Sequence, residues 1–181
     1  KLGVDNENDA LKWCQMAAEK GNAEAQFNLG LMYDMGRGMS CPDNDLAIKW
    51  YTKSARQNYA GAQLNLGAKY LDMEKYALGM EFNKLAAENN IIHAYFNIGL
   101  IYDIGLGVTP NRTRARCWYE MATKNGNVNA QVNLGIMYAE GRGVPRKFDK
   151  AIELFRDAEM NGDDEASGLI EAVNYAMKRN Q

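Results

Sequence analysis

The chain has 181 residues, of which 46% are hydrophobic, and it carries a net charge of −2 with a pI of about 5.5. The apolar residues suffice for a sizeable core, and the charge provides no basic field for nucleic acid or anionic lipid. No apolar run approaches the roughly 18 residues of a membrane span, and the three cysteines form no C-x-x-C pair. We therefore expect no nucleic-acid partner, no membrane insertion, no disulfide framework and no zinc or other metal site.

Two landmarks recur along the chain with one period. Large apolar residues form the first landmark, at Trp13, Trp50, Phe82, Trp118 and Leu154. Alanines form the second, at Ala25, Ala62, Ala94, Ala130 and Ala166. Both series advance by 37, 32, 36 and 36 residues, and each alanine follows its apolar landmark by 12 residues. Because two independent landmarks keep one register, the chain consists of internal repeats.

The first stretch of each period has the spacing of an amphipathic helix. In the first full repeat, Ala25, Leu29 and Met32 fall on one helical face. Three repeats close this stretch with Gly-x-Gly, and glycine just past a helix allows a left-handed C-terminal residue. The motif stands at residues 36–38, 105–107 and 141–143.

The second stretch of each period is also helical, with Ala47, Trp50 and Tyr51 on one face in the first full repeat. Four residues before the alanine of this stretch, three periods carry a good N-cap residue. These predicted caps are Asn6, Asp43 and Asn111, whereas Lys75 and Lys147 predict weakly capped starts.

The second full repeat differs because it has no Gly-x-Gly loop. This absence explains its step of 32 residues. We predict that, among the four full repeats, this one has the tightest turn between its two helices, formed by Asp72 to Lys75.

There is almost no strand signal, so the sequence predicts a single all-α repeat domain over residues 1–181. Its predicted parts are a partial repeat with only a second helix (1–22), a repeat (23–59), a short repeat (60–90), two repeats (91–126 and 127–162) and a closing helix (163–181).

The segment "AEAQFNLGLMYDMGRGMSCPDNDLAIKWYTKSARQNY" (Ala23–Tyr59) resembles a Sel-one-like repeat, a relative of the tetratricopeptide repeat with a longer loop. Val128–Asp163 resembles it as well, and the pattern covers essentially the whole chain. The resemblance implies a right-handed α-α superhelix, or solenoid, whose first helices line a concave groove. It also implies a non-catalytic adaptor or scaffold for another protein or peptide segment. Because the first residues match only a loop and a second helix, it implies a fragment of a longer protein.

The recurrent tryptophans are predicted to fill the core, as large aromatic residues at helical spacing usually do. Glycine also recurs inside the first helices, at a cost of about 1 kcal/mol relative to alanine. Its recurrence indicates a close approach of the partner helix. These glycines are Gly30, Gly67, Gly99 and Gly135.

Asparagine occupies one position of the first helix in all four full repeats. Because an amide both donates and accepts hydrogen bonds, a ladder of such side chains suits an extended peptide backbone. The resemblance supports this interpretation, since tetratricopeptide clamps carry asparagine at the matching position. The alternative is that these side chains brace a neighbouring helix or loop, and both roles can coexist. The ladder comprises Asn28, Asn65, Asn97 and Asn133.

Apolar residues stand where such clamps carry Lys, Arg or further Asn. They favour a partly apolar partner segment over a carboxylate pocket, and they include Phe27, Leu31, Phe96 and Leu100. Toward the helix rim the candidate groove residues are Glu24, His93 and Asn129. His93 is the only histidine in the sequence, and no metal partner for it is apparent.

Two alternatives to a scaffold remain open. Cysteine-rich members of the family suggest weak β-lactamase or penicillin-binding activity, but Ser40, Ser54 and Ser167 lack the lysine that Ser-x-x-Lys requires. The other alternative is a purely architectural spacer. We predict no enzyme and no cofactor. The compartment is left open between the cytoplasm and, if a signal peptide was removed, the periplasm or exterior. The arginines of "NRTRARC" (111–117) are interpreted as a solvated helix face.

Overall fold

The structure, a computed structural model, describes residues 4–179, which contain ten α-helices and no strand. The helices form two compact units that divide between residues 91 and 92. The first unit contains α1 (Val4–Glu19), α2 (Ala23–Met35), α3 (Asn44–Ala55), α4 (Ala60–Asp72) and α5 (Tyr76–Glu88). The second contains α6 (Ile92–Ile104), α7 (Arg112–Lys124), α8 (Val128–Glu140), α9 (Phe148–Met160) and α10 (Ala166–Arg179). The predicted all-α class built from helix pairs is confirmed.

Within the first unit, α2 pairs with α3 and α4 pairs with α5, while α1 packs on α2 and α3 packs on α4. Its core lies between these helices, where Ala47, Tyr51 and Leu66 are fully buried. The second unit repeats this plan, with α6 paired to α7, α8 paired to α9, and α10 packed on α9. Each pair therefore buries its apolar faces against its neighbour as well as within itself.

The helix glycines make room for a side chain of the partner helix. In each full repeat that side chain comes one residue after the large apolar landmark. The pairs are Gly30 with Tyr51, Gly67 with Asn83, Gly99 with Tyr119, and Gly135 with Phe155. A Cβ atom at Gly30 or Gly99 would lie 2.6 Å from the tyrosine ring, so any larger residue would force the helices apart. The predicted close approach is confirmed.

The prediction that the tryptophan landmarks fill the core holds for some repeats. Trp50 and Leu154 are 6% and 5% exposed, and Trp118 is half-buried. For Trp13 the prediction is wrong, because its side chain is 70% exposed. Trp50 is covered by Ala18 and Leu29 of α1 and α2, and no helix of the described residues stands in the corresponding place against α1.

The helix starts follow the predicted caps with one exception. Asp43 Oδ1 accepts from the Leu46 amide at 2.9 Å, and Asn111 Oδ1 accepts from the Arg114 amide at 2.9 Å. Neither Lys75 nor Lys147 makes a side-chain cap. Asn6 was predicted as a cap and lies inside α1 instead, because that helix already begins at Val4.

The turn of the short repeat is the tightest between paired helices, as predicted. Only residues 73–75 separate α4 from α5, whereas residues 36–43, 105–111 and 141–147 join the other three pairs. Those longer loops begin with a glycine in the left-handed region, for example Gly36 at φ 68° and Gly141 at φ 74°. Among the helices within residues 4–179, none combines the length and apolar character needed to cross a bilayer.

Candidate functional site

A cluster of polar side chains joins the first two full repeats, and we call it the first polar node. It consists of Asp34 at the end of α2, Tyr51 of α3, and Asn65 and Lys69 of α4. The Tyr51 hydroxyl donates to Asp34 Oδ2 at 3.3 Å, and Lys69 forms an ion pair with Asp34 Oδ1. Asn65 lies close enough to the same hydroxyl to lower the pKa of Tyr51, against the larger increase that burial causes. The node therefore links a carboxylate, a phenol, an amide and a cation from three helices.

The second polar node repeats this arrangement in the second unit. It consists of Asp103 of α6, Tyr119 of α7, Asn133 of α8 and Arg142 of the loop after α8. Asn133 Nδ2 donates to the Tyr119 hydroxyl at 3.3 Å, and Arg142 Nη2 donates to Asp103 Oδ2 at 2.6 Å. Arg142 also reaches Glu140, at 3.4 Å. Asp103 is only 10% exposed, and its Oδ1 atom is buried without a hydrogen-bond partner.

The two nodes occupy the same places in the repeat. Each aspartate follows the helix glycine by four residues, and each asparagine follows the tyrosine of the preceding repeat by 14 residues. The cation is the exception. Lys69 projects from the helix itself, because the short repeat has no loop in which an equivalent of Arg142 could stand.

Burial sets the protonation state of the two tyrosines. It raises the pKa of Tyr119 to about 12, with a further increase from nearby Asp103 and a smaller opposing effect from Asn133. Burial also raises the pKa of Tyr51 above its ordinary value. Both phenols therefore stay neutral at physiological pH. As a neutral hydroxyl, Tyr51 donates to Asp34, and Tyr119 accepts from Asn133.

The structure brings half of the asparagine ladder into the nodes. Asn65 and Asn133 are half-buried, and Asn133 donates to the Tyr119 hydroxyl as the bracing interpretation expects, while Asn65 lies beside the Tyr51 hydroxyl. Asn97 is also half-buried, while Asn28 is exposed. These contacts leave the groove interpretation open, because a bonded asparagine still has a second polar atom.

The predicted apolar groove residues flank the node tyrosines. The Phe27 ring lies 5.9 Å from that of Tyr51 and 5.0 Å from that of Tyr59, measured between centroids. The Phe96 ring lies 6.0 Å from that of Tyr119. All four predicted apolar residues are half-buried, namely Phe27, Leu31, Phe96 and Leu100. The predicted rim residues Glu24, His93 and Asn129 are exposed.

Sequence reasoning did not identify the charged members of the nodes. A signal was present, since "YDMGRG" and "YDIGLG" both place an aspartate before the loop glycines, whereas the third copy reads "YAEGRG". The cations had no shared position that could point to them. Within residues 4–179 no group of three or more His, Cys, Asp or Glu side chains is placed to hold a metal ion.

A comparison with protein-family models identifies the repeat unit. The model described as Sel1 repeat matches residues 2–22, 23–59, 92–127 and 128–163. The chain belongs to the Sel1 repeat family. The unmatched stretch between the second and third matches contains the short repeat, whose missing loop removes part of the Sel1 pattern. The division of the chain into one domain with six segments stays a prediction.

Solved structures resemble this chain in fold. A Sel1 repeat protein from Oxalobacter formigenes is 36% identical with a TM-score of 0.81, over 88% of this chain and 66% of that chain. The antigen c5321 of uropathogenic Escherichia coli, described as protective and as displaying an SLR fold, is 34% identical with a TM-score of 0.86. That match covers 92% of this chain and 37% of c5321. MamA is 25% identical with a TM-score of 0.61, over 91% of each chain.

This chain thus spans less than two thirds of the length of the Oxalobacter and Escherichia proteins. A comparison with curated proteins gives no match. Proteins built from Sel1 repeats are generally protein-interaction scaffolds, and their fold is typically non-catalytic.

Proposed function

We propose that this Sel1 repeat chain is a non-catalytic scaffold that binds an extended, partly apolar segment of another protein along the first helices of its units. The observation that carries the proposal is the half-bonded state of Asn133 in the second polar node. Asn133 uses its Nδ2 atom to donate to Tyr119, and its Oδ1 atom accepts no hydrogen bond within residues 4–179. An amide held in this way offers an acceptor to a peptide N–H.

Pre-organisation makes these amides better suited to a ligand than mobile surface asparagines. The buried tyrosine holds the side chain in one orientation, so that binding costs less rotamer entropy. Lys69 and Arg142 are in turn held by aspartates. Within each unit the partner therefore meets polar groups that are already held in place.

The first helices of neighbouring repeats lie side by side where the nodes form. Within the first unit, Gly61 of α4 faces Phe27 of α2, and a Cβ atom there would lie 3.2 Å from the phenylalanine ring. Half-buried Phe27 and Leu31 add apolar area beside the exposed Asn28. This combination favours a segment that alternates apolar side chains with backbone contacts over one that is read by charge alone.

The hydrolase alternative gains nothing from the position of Ser54, which is buried and donates to the Ala23 carbonyl at 2.6 Å. The spacer alternative predicts that no peptide binds selectively.

The experiment is to select binders for the folded chain from a random dodecapeptide library and to measure their affinity by fluorescence anisotropy. We expect Asn28→Ala and Asn133→Ala each to weaken binders of their own unit by about 2- to 13-fold, for one lost hydrogen bond.

Asn174→Ala provides the matched control, because Asn174 is exposed on α10, outside both first-helix faces. It should leave affinity unchanged. Thermal melts of each variant separate bracing from binding. Equal affinities for all three variants, with a lowered melting temperature for Asn133→Ala alone, would show that the asparagines are only internal braces. Failure to select any binder would favour the spacer.

A further inference from the structure

Positive charge is concentrated in one part of the second unit. Residues 112–147 contain seven Lys or Arg and two Glu, whereas residues 148–171 contain two Lys or Arg and eight acidic residues. The net charge of −2 for the whole chain conceals this separation. The basic part consists mainly of the start of α7 and the loop between α8 and α9.

The fold fastens that loop to the start of α7. Gly143 lies against Arg112, and a Cβ atom at Gly143 would be 2.5 Å from Arg112 Cβ and 3.1 Å from its carbonyl carbon. The loop also carries Arg142, which is anchored by Asp103. Two arginines from distant positions in the sequence are therefore held side by side.

A cleft of about 280 Å³ opens between them, and we call it the arginine cleft. Its walls are Asp103, Ile104, Pro110, Arg112 and Arg142. Arg112 is exposed and forms no ion pair within the described part of the chain. Arg142 keeps a buried Nε atom without a hydrogen-bond partner. The cleft thus contains the guanidinium of Arg112, which forms no ion pair among the described residues, beside that of Arg142, whose Nη atoms already meet Asp103 and Glu140.

Further cations lie on the same two segments that carry Arg112 and Arg142, outside the lining of the cleft itself. Arg114 lies with its guanidinium carbon 5.4 Å from the centre of the Tyr102 ring, and Arg146 lies 5.7 Å from that of Phe148. Lys147 ends the same loop and is exposed. These contacts with aromatic rings hold the arginine side chains in place, and Arg114 Nη1 in addition donates to the Tyr102 hydroxyl at 3.4 Å.

We propose that the arginine cleft is a docking site for an acidic peptide segment, bound through a side-chain or C-terminal carboxylate. A guanidinium presents paired N–H donors that match the two oxygens of a carboxylate. The volume suits one or two side chains, and the surrounding cations favour further acids along the same segment. Ile104, which is 58% exposed, offers an apolar contact at the edge. This site does not depend on the asparagine ladder.

The test uses a fluorescein-labelled octaglutamate peptide as the probe, with octaglutamine as the uncharged control, and measures anisotropy at low and at physiological salt. We expect octaglutamate to bind, octaglutamine not to bind, and affinity to fall as salt rises. Arg112→Gln should weaken octaglutamate binding by about tenfold, because one charge-assisted contact is removed.

Arg37→Gln is the matched control. Arg37 is the exposed middle residue of the Gly-x-Gly loop in the first full repeat, in the same register as Arg142, and its loss changes net charge equally. It should leave affinity within about twofold of the wild type, while thermal melts verify that both variants fold. No binding by the wild-type chain, or an equal loss for Arg37→Gln, would overturn the proposal. Binding of a labelled oligouridylate of eight nucleotides more tightly than octaglutamate would overturn it in favour of nucleic acid.

Discussion

The two polar nodes share three residue types but take their cation from different backbone elements. Both place an aspartate, a buried tyrosine and an asparagine in the same register, yet Lys69 projects from a helix and Arg142 from a loop. In the first node both aspartate oxygens are engaged, by Tyr51 and by Lys69. In the second, Asp103 keeps one buried oxygen without a partner. The carboxylate, phenol and amide are thus the constant part, and the cation is supplied from wherever the local backbone allows.

The comparison also shows what the missing loop changes. The short repeat joins α4 to α5 through three residues, so its cation must come from the helix. The partner side chain also differs, because Asn83 fills the recess at Gly67 where the other repeats place an aromatic ring. Asn83 Nδ2 donates to the Gly79 carbonyl at 2.8 Å, which gives its buried amide a partner in the core. A polar residue can therefore replace a ring if its hydrogen bonds are met.

The largest expected effect comes from removing the buried tyrosine side chain of each node. Tyr51→Ala and Tyr119→Ala should each lower the free energy of unfolding by about 3–5 kcal/mol, because both side chains are fully buried against a helix glycine. Urea unfolding followed by circular dichroism measures the loss. A cost below about 1 kcal/mol for either variant would contradict the equivalence of the nodes.

A smaller effect separates the two aspartates. Asp103→Asn should cost about 1.5–3 kcal/mol, since Asp103 is 10% exposed and bonded to Arg142 at 2.6 Å. Asp34→Asn should cost less, about 0.5–1.5 kcal/mol, because Asp34 and Lys69 are each 23% exposed and solvent screens their attraction. Urea unfolding midpoints of the two variants provide the comparison. If Asp34→Asn lowered the free energy of unfolding more than Asp103→Asn, exposure of the aspartate would not determine how much it stabilises the fold.

Tyr119→Phe keeps the ring and removes the hydroxyl, and at neutral pH it should cost as little as Asp34→Asn, about 0.5–1.5 kcal/mol. Its main signature is pH dependence. The pKa of Tyr119 is raised from 10.0 to about 12, so folding favours the neutral phenol. Its contribution to stability is complete below pH 10 and is lost as the pH rises toward 12. The wild-type chain should therefore lose stability more steeply than Tyr119→Phe in this range, in urea titrations at several pH values. Parallel slopes would place the ionisation of Tyr119 at its ordinary pKa.

The chain's own residues determined the repeat register and most helix ends. Asp43 and Asn111 cap their helices because an N-cap needs only a side chain within three residues of an orphan amide. Gly36 and Gly141 end theirs because the left-handed conformation is a local property of glycine. The helix glycines likewise indicated a close approach, since four copies at one position outweigh their cost in propensity.

Only the tertiary structure decided which of these side chains meet. Trp13 and Trp50 share one register, yet one is 70% exposed and the other 6%, because burial depends on the neighbouring helices and not on the residue. The polar nodes were likewise beyond local reasoning. Asp103 and Arg142 stand 39 residues apart and come together only when two repeats stack. Local patterns set where helices begin and end, whereas the long-range pairing of charges is fixed by the packing of one repeat on the next.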